Sequence, residues 1–272
     1  MTPDPNSPYP ILSPDHPIPA LAHLCALAVM AKAPRPGKVK TRLSPPLTLD
    51  QTAELNTRFL RDTTENLAAI PGSAGLISYT PVGDEALFAG LLPETFALVP
   101  QRGNGFGERL LGAVQDILAL GYGAVCLIDS DSPTVPAAAY HQAVEALARP
   151  GDRIVLGPSA DGGYYLIGLK QPHAEPFARI TWSTGQVLGE TLTRCREAGL
   201  EVVLLPTWYD VDDAQTLHVL NEELLNDTLP VFGEQRPMHG YPAPHTRALL
   251  LAMQFDPAAS TPAETPQALI PE

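Results

Sequence analysis

Two carboxylates that follow one apolar run are the first candidates for chemistry in this sequence. Asp129 and Asp131 come directly after the run 124–128, which is typical of a fully buried central strand. Ligands of open α/β sheets bind at the carboxyl ends of the strands. If the extended conformation continues, both side chains share a face and suit one hard divalent cation that also accepts phosphate oxygens. The alternative is a pair of turn-forming or helix-capping aspartates.

A basic loop follows the first predicted strand. Five of the 17 Lys and Arg residues lie here within eleven positions: Lys32, Arg35, Lys38, Lys40 and Arg42. Arginine provides a bidentate fork for phosphate and lysine a point charge. In a chain of net charge −13, this concentration predicts a site for a nucleotide di- or triphosphate. An ordinary solvated surface loop is the alternative.

A glycine-rich turn precedes the second predicted helix. Gly103, Gly105 and Gly107 alternate with other residues, Asn104 among them, and such a turn lets a ligand approach the backbone at a helix N-terminus. The pattern differs from the dinucleotide fingerprint. It is equally compatible with a flexible turn, so we treat Gly103, Asn104 and Gly105 as candidate nucleotide-binding residues only.

An acidic residue beside tyrosines forms a further candidate. Asp161 precedes two glycines and then Tyr164 and Tyr165, a pattern that predicts a tight turn presenting a carboxylate next to an aromatic wall. Asp161 is a candidate general base or acceptor-orienting group, with Tyr164 and Trp182 as candidate substrate contacts. The alternative is a Gly-Gly hairpin whose aromatic residues pack in the core.

Three aspartates lie between the last predicted strand and the last helix. Asp213 is placed as a helix N-cap. Asp210 and Asp212 would share a face if the segment is extended, and either could add a carboxylate to the cation held by Asp131.

Strands and helices alternate through the middle of the chain. This order predicts an α/β fold with a mainly parallel sheet and helices on both faces. The predicted strands are 24–30, 76–79, 96–99, 124–128, 153–156, 164–169 and 201–205, and the predicted helices are 48–69, 106–120, 136–148, 185–198 and one from about 213. A single domain is expected over 24–228, between proline-rich tails at 1–23 and 229–272 that are expected to be extended or poorly ordered.

Composition limits the partners. The acidic balance, with a pI near 4.9, argues against nucleic acid or an anionic membrane surface as the main partner. The three cysteines follow no disulfide or zinc pattern, as expected for a reducing cytoplasm. No run reaches the roughly 18 apolar residues of a membrane span. The oligomeric state cannot be inferred from the sequence.

The motifs in order resemble one family. Ala-Lys-Ala-Pro-x-Pro-Gly-x-Val-Lys-Thr-Arg-Leu is followed by Gly-Glu-Arg, Asp-Ser-Pro, Gly-Pro-x-x-Asp-Gly-Gly-Tyr-Tyr-Leu-Ile-Gly-Leu and Asp-Val-Asp. From about Leu27 to Asn221 this is similar to the radical-SAM/selenodomain-associated transferases, often labelled glycosyltransferases of arsenosugar biosynthesis. The resemblance implies a nucleotide-diphospho-sugar transferase fold of the GT-A type, distantly related to 2-phospholactate guanylyltransferases and molybdenum-cofactor nucleotidyltransferases.

The resemblance also implies roles for individual residues. Asp131 falls on the metal-binding aspartate of those enzymes, and Asp212 on the late aspartate that completes the site. Lys32, Lys40 and Arg42 match the phosphate-binding loop, and the turn 103–107 lies where relatives recognise the base.

Three functions are consistent with these residues. The favoured hypothesis is a Mg²⁺- or Mn²⁺-dependent glycosyl transfer from a nucleotide sugar to a small-molecule acceptor, in which Lys40 and Arg42 stabilise the leaving diphosphate. The second is nucleotidyl transfer from a nucleoside triphosphate with release of pyrophosphate. The five-cation loop fits this second reaction somewhat better than the first, because more phosphate charge must be held, and the family resemblance narrowly favours glycosyl transfer. The third, from another class, is a non-catalytic nucleotide-binding or scaffold protein.

Overall fold

A single seven-stranded sheet organises the molecule. The computed structural model describes residues 7–253. The sheet order is β3-β2-β1-β4-β6-β5-β7. The strands are β1 (Cys25–Lys32), β2 (Ser73–Thr80), β3 (Ala97–Pro100), β4 (Ala124–Ile128), β5 (Arg153–Pro158), β6 (Tyr164–Leu169) and β7 (Glu201–Leu204).

One strand runs against the others. β6 pairs antiparallel with both β4 and β5, whereas the remaining neighbours pair parallel. The carboxyl ends of six strands therefore meet at one edge of the sheet, together with the amino end of β6. The mainly parallel sheet expected from the alternation of elements is confirmed.

Helices cover both faces of the sheet, as predicted. They are α1 (Leu49–Ala68), α2 (Phe106–Ala119), α3 (Ala137–Ala148), α4 (Val187–Glu197), α5 (Ala214–Asn226) and α6 (Pro244–Met253). Alternate residues of β1 point to opposite sides. Leu27 and Val29 join a core with α1, α3, α5 and α6, and Ala26 and Ala28 join a second core with α2 and α4.

Helix starts follow their capping residues closely. Thr48 and Gln51 form a capping box before α1, and Asp213 caps α5 through the backbone N–H of Thr216. These caps satisfy backbone donors that have no partner inside the helix. The three cysteines are buried and free.

The proline-rich segment before β1 packs against the domain where the structure describes it. Ile11 bridges to Leu98 of the edge strand β3, and the Leu12 backbone N–H donates to the Leu98 carbonyl at 2.8 Å. Tyr9 is buried, and its hydroxyl donates to the Leu92 carbonyl at 2.9 Å. Edge strand β3 is thus partly covered, which protects its free backbone groups. Residues 1–6 lie outside the described part.

The segment after α5 contains a helix that the sequence analysis did not predict. Its residues, rich in Pro, Ala and His, show little hydrophobic periodicity, and the sequence predicts a tail over 229–272 that is extended or poorly ordered. α6 is instead held by Asp62 on α1, whose carboxylate accepts from the backbone N–H groups of His245 and Thr246 and from the Thr246 hydroxyl. A buried carboxylate at a helix N-terminus satisfies several orphan donors at once. Residues 254–272 lie outside the described range, and the domain limits 24–228 stay a prediction.

No helix between residues 7 and 253 is long and apolar enough to cross a membrane.

The Asp62 contact predicts how the C-terminal segment is retained. Asp62→Ala removes the acceptor of three donors, so the free energy of unfolding should fall by about 1–3 kcal/mol, and limited proteolysis should cut first between α5 and α6. Glu65→Gln, which alters an exposed partner of His245, is the matched control and should change stability by less than about 0.5 kcal/mol. Equal protease resistance of Asp62→Ala and the wild type would contradict this assignment.

Candidate active site

The predicted site residues lie on loops at the carboxyl edge of the sheet. The basic loop follows β1, the Asp129–Ser132 turn follows β4, the Asp161 turn joins β5 to β6, and the segment 205–213 follows β7. Backbone hydrogen bonds connect these loops: the Val211 N–H donates to the Asp131 carbonyl at 2.9 Å, and the Ala160 N–H donates to the Trp208 carbonyl at 2.9 Å. The loops therefore form one assembly rather than independent segments.

Lys40 lies at the centre of this assembly. Its ammonium group is 2.7 Å from an Asp131 carboxylate oxygen and 3.2 Å from an Asp212 oxygen, and it donates to the Val211 carbonyl at 2.6 Å. The side chain is only 3% exposed. Burial alone would lower the pKa of Lys40, but the two carboxylates outweigh burial and raise the pKa above its ordinary value. The ammonium is therefore a permanent cation between two predicted metal-binding carboxylates.

The basic loop holds Lys40 in place through its apolar residues. Val39 and Leu43 are buried on either side of it, and the ammonium lies 5.4 Å from the centre of the Phe59 ring on α1. Lys40 has a positive φ of 48°, a conformation that costs free energy for a residue with a Cβ and that often occurs at functional positions.

A basic cavity of about 330 Å³ opens beside Lys40. Lys32, Lys38 and Arg42 of the loop line it, and Arg109 of α2 adds a cation that the sequence analysis did not select. Arg42 is 72% exposed and lies 3.4 Å from Asp212. The cavity therefore combines exposed cations with one buried cation, an arrangement that suits a polyphosphate.

Arg35 is the loop cation that does not contribute to the basic cavity. Its guanidinium forms a fork with the Asp84 carboxylate, including a 2.7 Å hydrogen bond from Nε, and it is absent from the residues that line the cavity. The charge offered to a ligand is thus smaller than the count of five loop cations indicates.

Asn56 on α1 is a second residue that the sequence analysis missed. It lines the basic cavity and is only 3% exposed, yet its side-chain oxygen has no hydrogen-bond partner. Buried polar groups are rarely left unpaired, because each one costs about 1–3 kcal/mol. The unpaired amide oxygen makes Asn56 a candidate contact for a ligand of this cavity. The sequence gives no signal of this role, because Asn56 is one of several polar residues in an amphipathic helix.

The glycine-rich turn before α2 is closed by its own helix. Glu108 accepts hydrogen bonds from the backbone N–H groups of Asn104 and Gly105, at 2.8 and 3.4 Å. The Glu108 carboxylate thus occupies the N-terminus of α2, where a ligand anion would otherwise bind. Neither of the two cavities described here is lined by Gly103, Asn104 or Gly105. Their role in nucleotide binding stays a prediction.

Asp129 is placed differently from its neighbour Asp131. β4 ends at Ile128, and a turn follows in which Asp129 accepts from the backbone N–H groups of Asp131 and Ser132 and from the Ser132 hydroxyl, at 3.2, 3.1 and 2.8 Å. Loss of hydration, with the nearby charges of Asp131 and Asp210, raises the pKa of Asp129 well above its usual value. The expectation that Asp129 and Asp131 share the face of an extended strand is not met, and Asp129 stabilises the turn that presents Asp131.

The carboxylates around Lys40 are compatible with a metal ion that arrives with its substrate. Among residues 7–253, no three His, Cys, Asp or Glu side chains are grouped so that they could hold an ion by themselves. Mg²⁺ needs only one or two carboxylates when phosphates and water complete its coordination. Asp131 and Asp212, both on the wall of the basic cavity, satisfy that requirement.

A second cavity of about 260 Å³ lies next to the first. Met30, Phe106, Ser130 and Asp131 line both cavities, so the two spaces meet at the end of β4. The predicted substrate contacts Asp161, Tyr164 and Trp182 all belong to the second cavity. This grouping comes from the fold, since Trp182 precedes α4 and Asp161 follows β5.

The Asp161 turn has the tight geometry that the glycines predicted. Asp161 accepts from the backbone N–H of Gly163 at 2.8 Å. Gly162 has a φ of 90°, and a Cβ there would lie 2.3 Å from the Gly185 carbonyl oxygen, so a larger residue would displace the turn. Both tyrosines line the second cavity, and the Tyr165 hydroxyl donates to the Pro206 carbonyl at 3.0 Å.

Asp210 adds a further carboxylate to the second cavity. It accepts from the Ser159 hydroxyl at 2.8 Å. Burial and the charge of Asp161 raise the pKa of Asp210 to about 6. Asp210 and Asp212 therefore serve different cavities, although they are two residues apart.

Comparison with known proteins agrees with this architecture. The chain matches the family described as "Uncharacterized protein conserved in bacteria (DUF2064)" over residues 63–184. It is similar to the crystal structure of a "putative nucleotide-diphospho-sugar transferase" from Desulfovibrio desulfuricans G20, with 32% identity, a TM-score of 0.72 and coverage of 85% of this chain and 95% of that chain. No curated protein matches the sequence significantly.

A more distant structure shares the fold. The CTP complex of CMP:2-keto-3-deoxy-manno-octonic acid synthetase has 10% identity, a TM-score of 0.51 and coverage of 75% of this chain and all of that chain. The predicted nucleotide-diphospho-sugar transferase fold of the GT-A type is therefore confirmed. The protein belongs to the same family as the Desulfovibrio "putative nucleotide-diphospho-sugar transferase".

Asn56 provides a test of the basic cavity. Asn56→Leu removes an unpaired polar atom from a buried position, so we expect the free energy of unfolding to stay equal or to rise by up to about 1 kcal/mol. Binding of nucleoside diphosphates should nevertheless weaken about ten-fold, measured by calorimetry. Leu55→Ala on the same helix is the control and should lower the free energy of unfolding by about 2–5 kcal/mol. At a temperature where this variant is folded, its affinity for the nucleotide should be unchanged. Unchanged affinity in Asn56→Leu would show that Asn56 does not contact the ligand.

Proposed function

We propose that the protein is a transferase that moves a sugar from a nucleoside diphosphate sugar to a small-molecule acceptor. The observation that carries this proposal is the buried Lys40 ammonium between Asp131 and Asp212, at the point where a basic cavity meets an aromatic and acidic one. The basic cavity suits the diphosphate, and the second cavity suits the group that receives the sugar.

The distribution of cations favours a diphosphate over a triphosphate. Of the five loop cations, Arg35 is paired with Asp84 outside the basic cavity, and Lys40 is already shared by two carboxylates. Lys32, Lys38, Arg42 and Arg109 then provide most of the charge for the ligand. The similarity to the Desulfovibrio "putative nucleotide-diphospho-sugar transferase", at 32% identity, supports the same donor class. The finer resemblance to the radical-SAM/selenodomain-associated transferases is part of this proposal.

Each residue at the meeting point has a distinct role in the proposed reaction. Asp131 and Asp212 would hold Mg²⁺ or Mn²⁺ with the diphosphate, and the ion would supply charge neutralisation as the nucleoside diphosphate leaves. Lys40 holds both carboxylates in position and adds a cation beside the phosphates. Arg42, exposed and only weakly paired, is free to form a bidentate contact with phosphate.

Asp161 would orient the hydroxyl of the acceptor and accept its proton. It lies on the wall of the second cavity, in a turn fixed by Gly162, and a rigid position is what such a group requires. Tyr164 and Trp182 would form the apolar wall against which the acceptor lies.

Thermal unfolding with a ligand panel tests the proposal. With Mn²⁺ present, one nucleotide sugar should stabilise the protein by about 2.7 kcal/mol at 100 times its dissociation constant, which is roughly 5–10 °C for a domain of this size. Mn²⁺ alone should give little shift, because two carboxylates paired with Lys40 bind an ion weakly without phosphate. A shift with nucleoside triphosphates only, and acceptor-dependent release of pyrophosphate, would instead support nucleotidyl transfer.

Variants of the basic loop separate specific binding from general charge. Arg42→Ala and Lys40→Met should each weaken nucleotide sugar binding at least ten-fold, about 1.4 kcal/mol. Arg35→Ala removes the same charge from the same loop but outside the basic cavity, and should change the dissociation constant less than two-fold. Calorimetric titration of the three variants measures this. An equal loss of affinity in all three variants would show that the basic loop acts only as a nonspecific electrostatic surface.

A further inference from the structure

The second cavity has an unusual charge distribution. Among the described residues that line it there is no Lys, Arg or His, whereas four carboxylates belong to its wall: Asp129, Asp131, Asp161 and Asp210. Only Asp131 has a cationic partner, Lys40. Asp161 accepts from a backbone N–H and Asp210 from the Ser159 hydroxyl. The negative charge of these two carboxylates is therefore not neutralised by the protein.

Aromatic rings cover the same cavity. Phe106 and Trp182 meet edge to face, with ring centres 5.1 Å apart, and Tyr164 adds a third ring to the wall. Gly107 makes room for the indole, because a Cβ at this position would lie 2.8 Å from Trp182 Nε1. Phe106 is 47% exposed although it is large and apolar. The Arg109 guanidinium lies 5.8 Å from the centre of the Phe106 ring, so Phe106 already has a cation on the side of the basic cavity, and Trp182 with the tyrosines is the aromatic wall left to a ligand of the second cavity.

From this combination we infer that the acceptor is an organic cation, a hydroxyl compound that carries an ammonium or similar group. Aromatic faces attract such a cation most strongly where water is excluded, and carboxylates without a cationic partner attract it further. The inference rests on the proposed function, since it names the class of acceptor for that reaction.

The charges of the two cavities would also sort the substrates. Polyphosphate is attracted to the side of Lys32, Lys38 and Arg42 and repelled by the carboxylates of the second cavity. A cationic acceptor is attracted by the carboxylates of the second cavity and repelled by the cations of the basic cavity. The two substrates would therefore meet at Asp131, which lines both cavities, and neither would block the site of the other.

A divalent metal ion is a poorer occupant of the second cavity. A metal ion needs several oxygen ligands around one point, and between residues 7 and 253 no group of three acidic or other ligating side chains is so arranged. A hydrated metal ion also gains little from the aromatic rings of the wall, whereas an organic cation with apolar substituents contacts both the rings and the carboxylates.

Choline and its neutral isostere 3,3-dimethylbutan-1-ol form a matched pair of probes. Their binding to the full-length protein can be followed by tryptophan fluorescence and by calorimetry at constant ionic strength. Choline should bind at least ten-fold more tightly than the neutral alcohol. Asp161→Asn keeps an oxygen for the Gly163 N–H and should reduce this preference several-fold, and Trp182→Leu should reduce it further.

Asp227→Asn is the control variant. Asp227 is an exposed aspartate in the left-handed conformation after α5, which asparagine also adopts readily, and it lines neither cavity. Its substitution should leave choline binding unchanged. Equal affinity for choline and the neutral alcohol, or a preference that survives Asp161→Asn and Trp182→Leu together, would overturn the inference. Displacement of choline by Mn²⁺ alone would show that the cavity is instead a metal site.

Nucleotide sugar binding distinguishes this result from failure of the proposed function. If the nucleotide sugar stabilises the protein with Mn²⁺ but choline has no advantage, the donor site stands and the acceptor is not cationic. If choline binds with the expected preference but no nucleotide does, the second cavity is a cation site and the transferase proposal is wrong.

Discussion

The ion pair network of Lys40 is the interaction on which the candidate site depends. Asp131 and Asp212 come from different strand ends, and like charges brought this close repel one another. The Lys40 ammonium, 2.7 and 3.2 Å from them, makes their approach favourable. It also donates to the Val211 carbonyl, so one side chain joins the loops after β1, β4 and β7. Without this charge, the backbone hydrogen bond from Val211 to Asp131 would still join the loops after β4 and β7, but their two carboxylates would have no buried cation between them.

This network also determines how the rest of the edge is used. Lys40 pairs with Asp131 and Asp212, and Arg42 lies 3.4 Å from Asp212. Lys32 and Lys38 of the basic loop therefore face an open cavity rather than these carboxylates, while Asp161 and Asp210 lie on the wall of the second cavity. The antiparallel strand β6 is part of the same arrangement, because it begins at this edge and delivers the Asp161 turn and Tyr164. In a fully parallel sheet, the strand next to β4 would end at this edge instead of beginning there, and no turn like the Asp161 turn would lead into it beside β4.

Local patterns predicted much of the fold, and long-range pairing explains what they missed. The bounds of β4 and β6 and the cap of α1 were predicted correctly from apolar runs and from Thr48 with Gln51. The basic loop was recognised as a unit, but Arg35 could not be separated from its neighbours, because its partner Asp84 is 49 residues away. α6 was missed because Asp62, 183 residues before His245, stabilises its start. Asn56 and Arg109 lie on helices whose sequence pattern reports burial and not which cavity a side chain lines.

Features that cost the free protein stability concentrate at the two cavities. Lys40 has a positive φ, Asn56 has a buried oxygen without a partner, and burial together with the charge of Asp161 raises the pKa of Asp210 to about 6. Each of these three features is unfavourable for the free energy of folding when no ligand is bound. Proteins retain such costs where a ligand repays them on binding. Their position around the meeting point of the two cavities is therefore independent support for a site at which two substrates react.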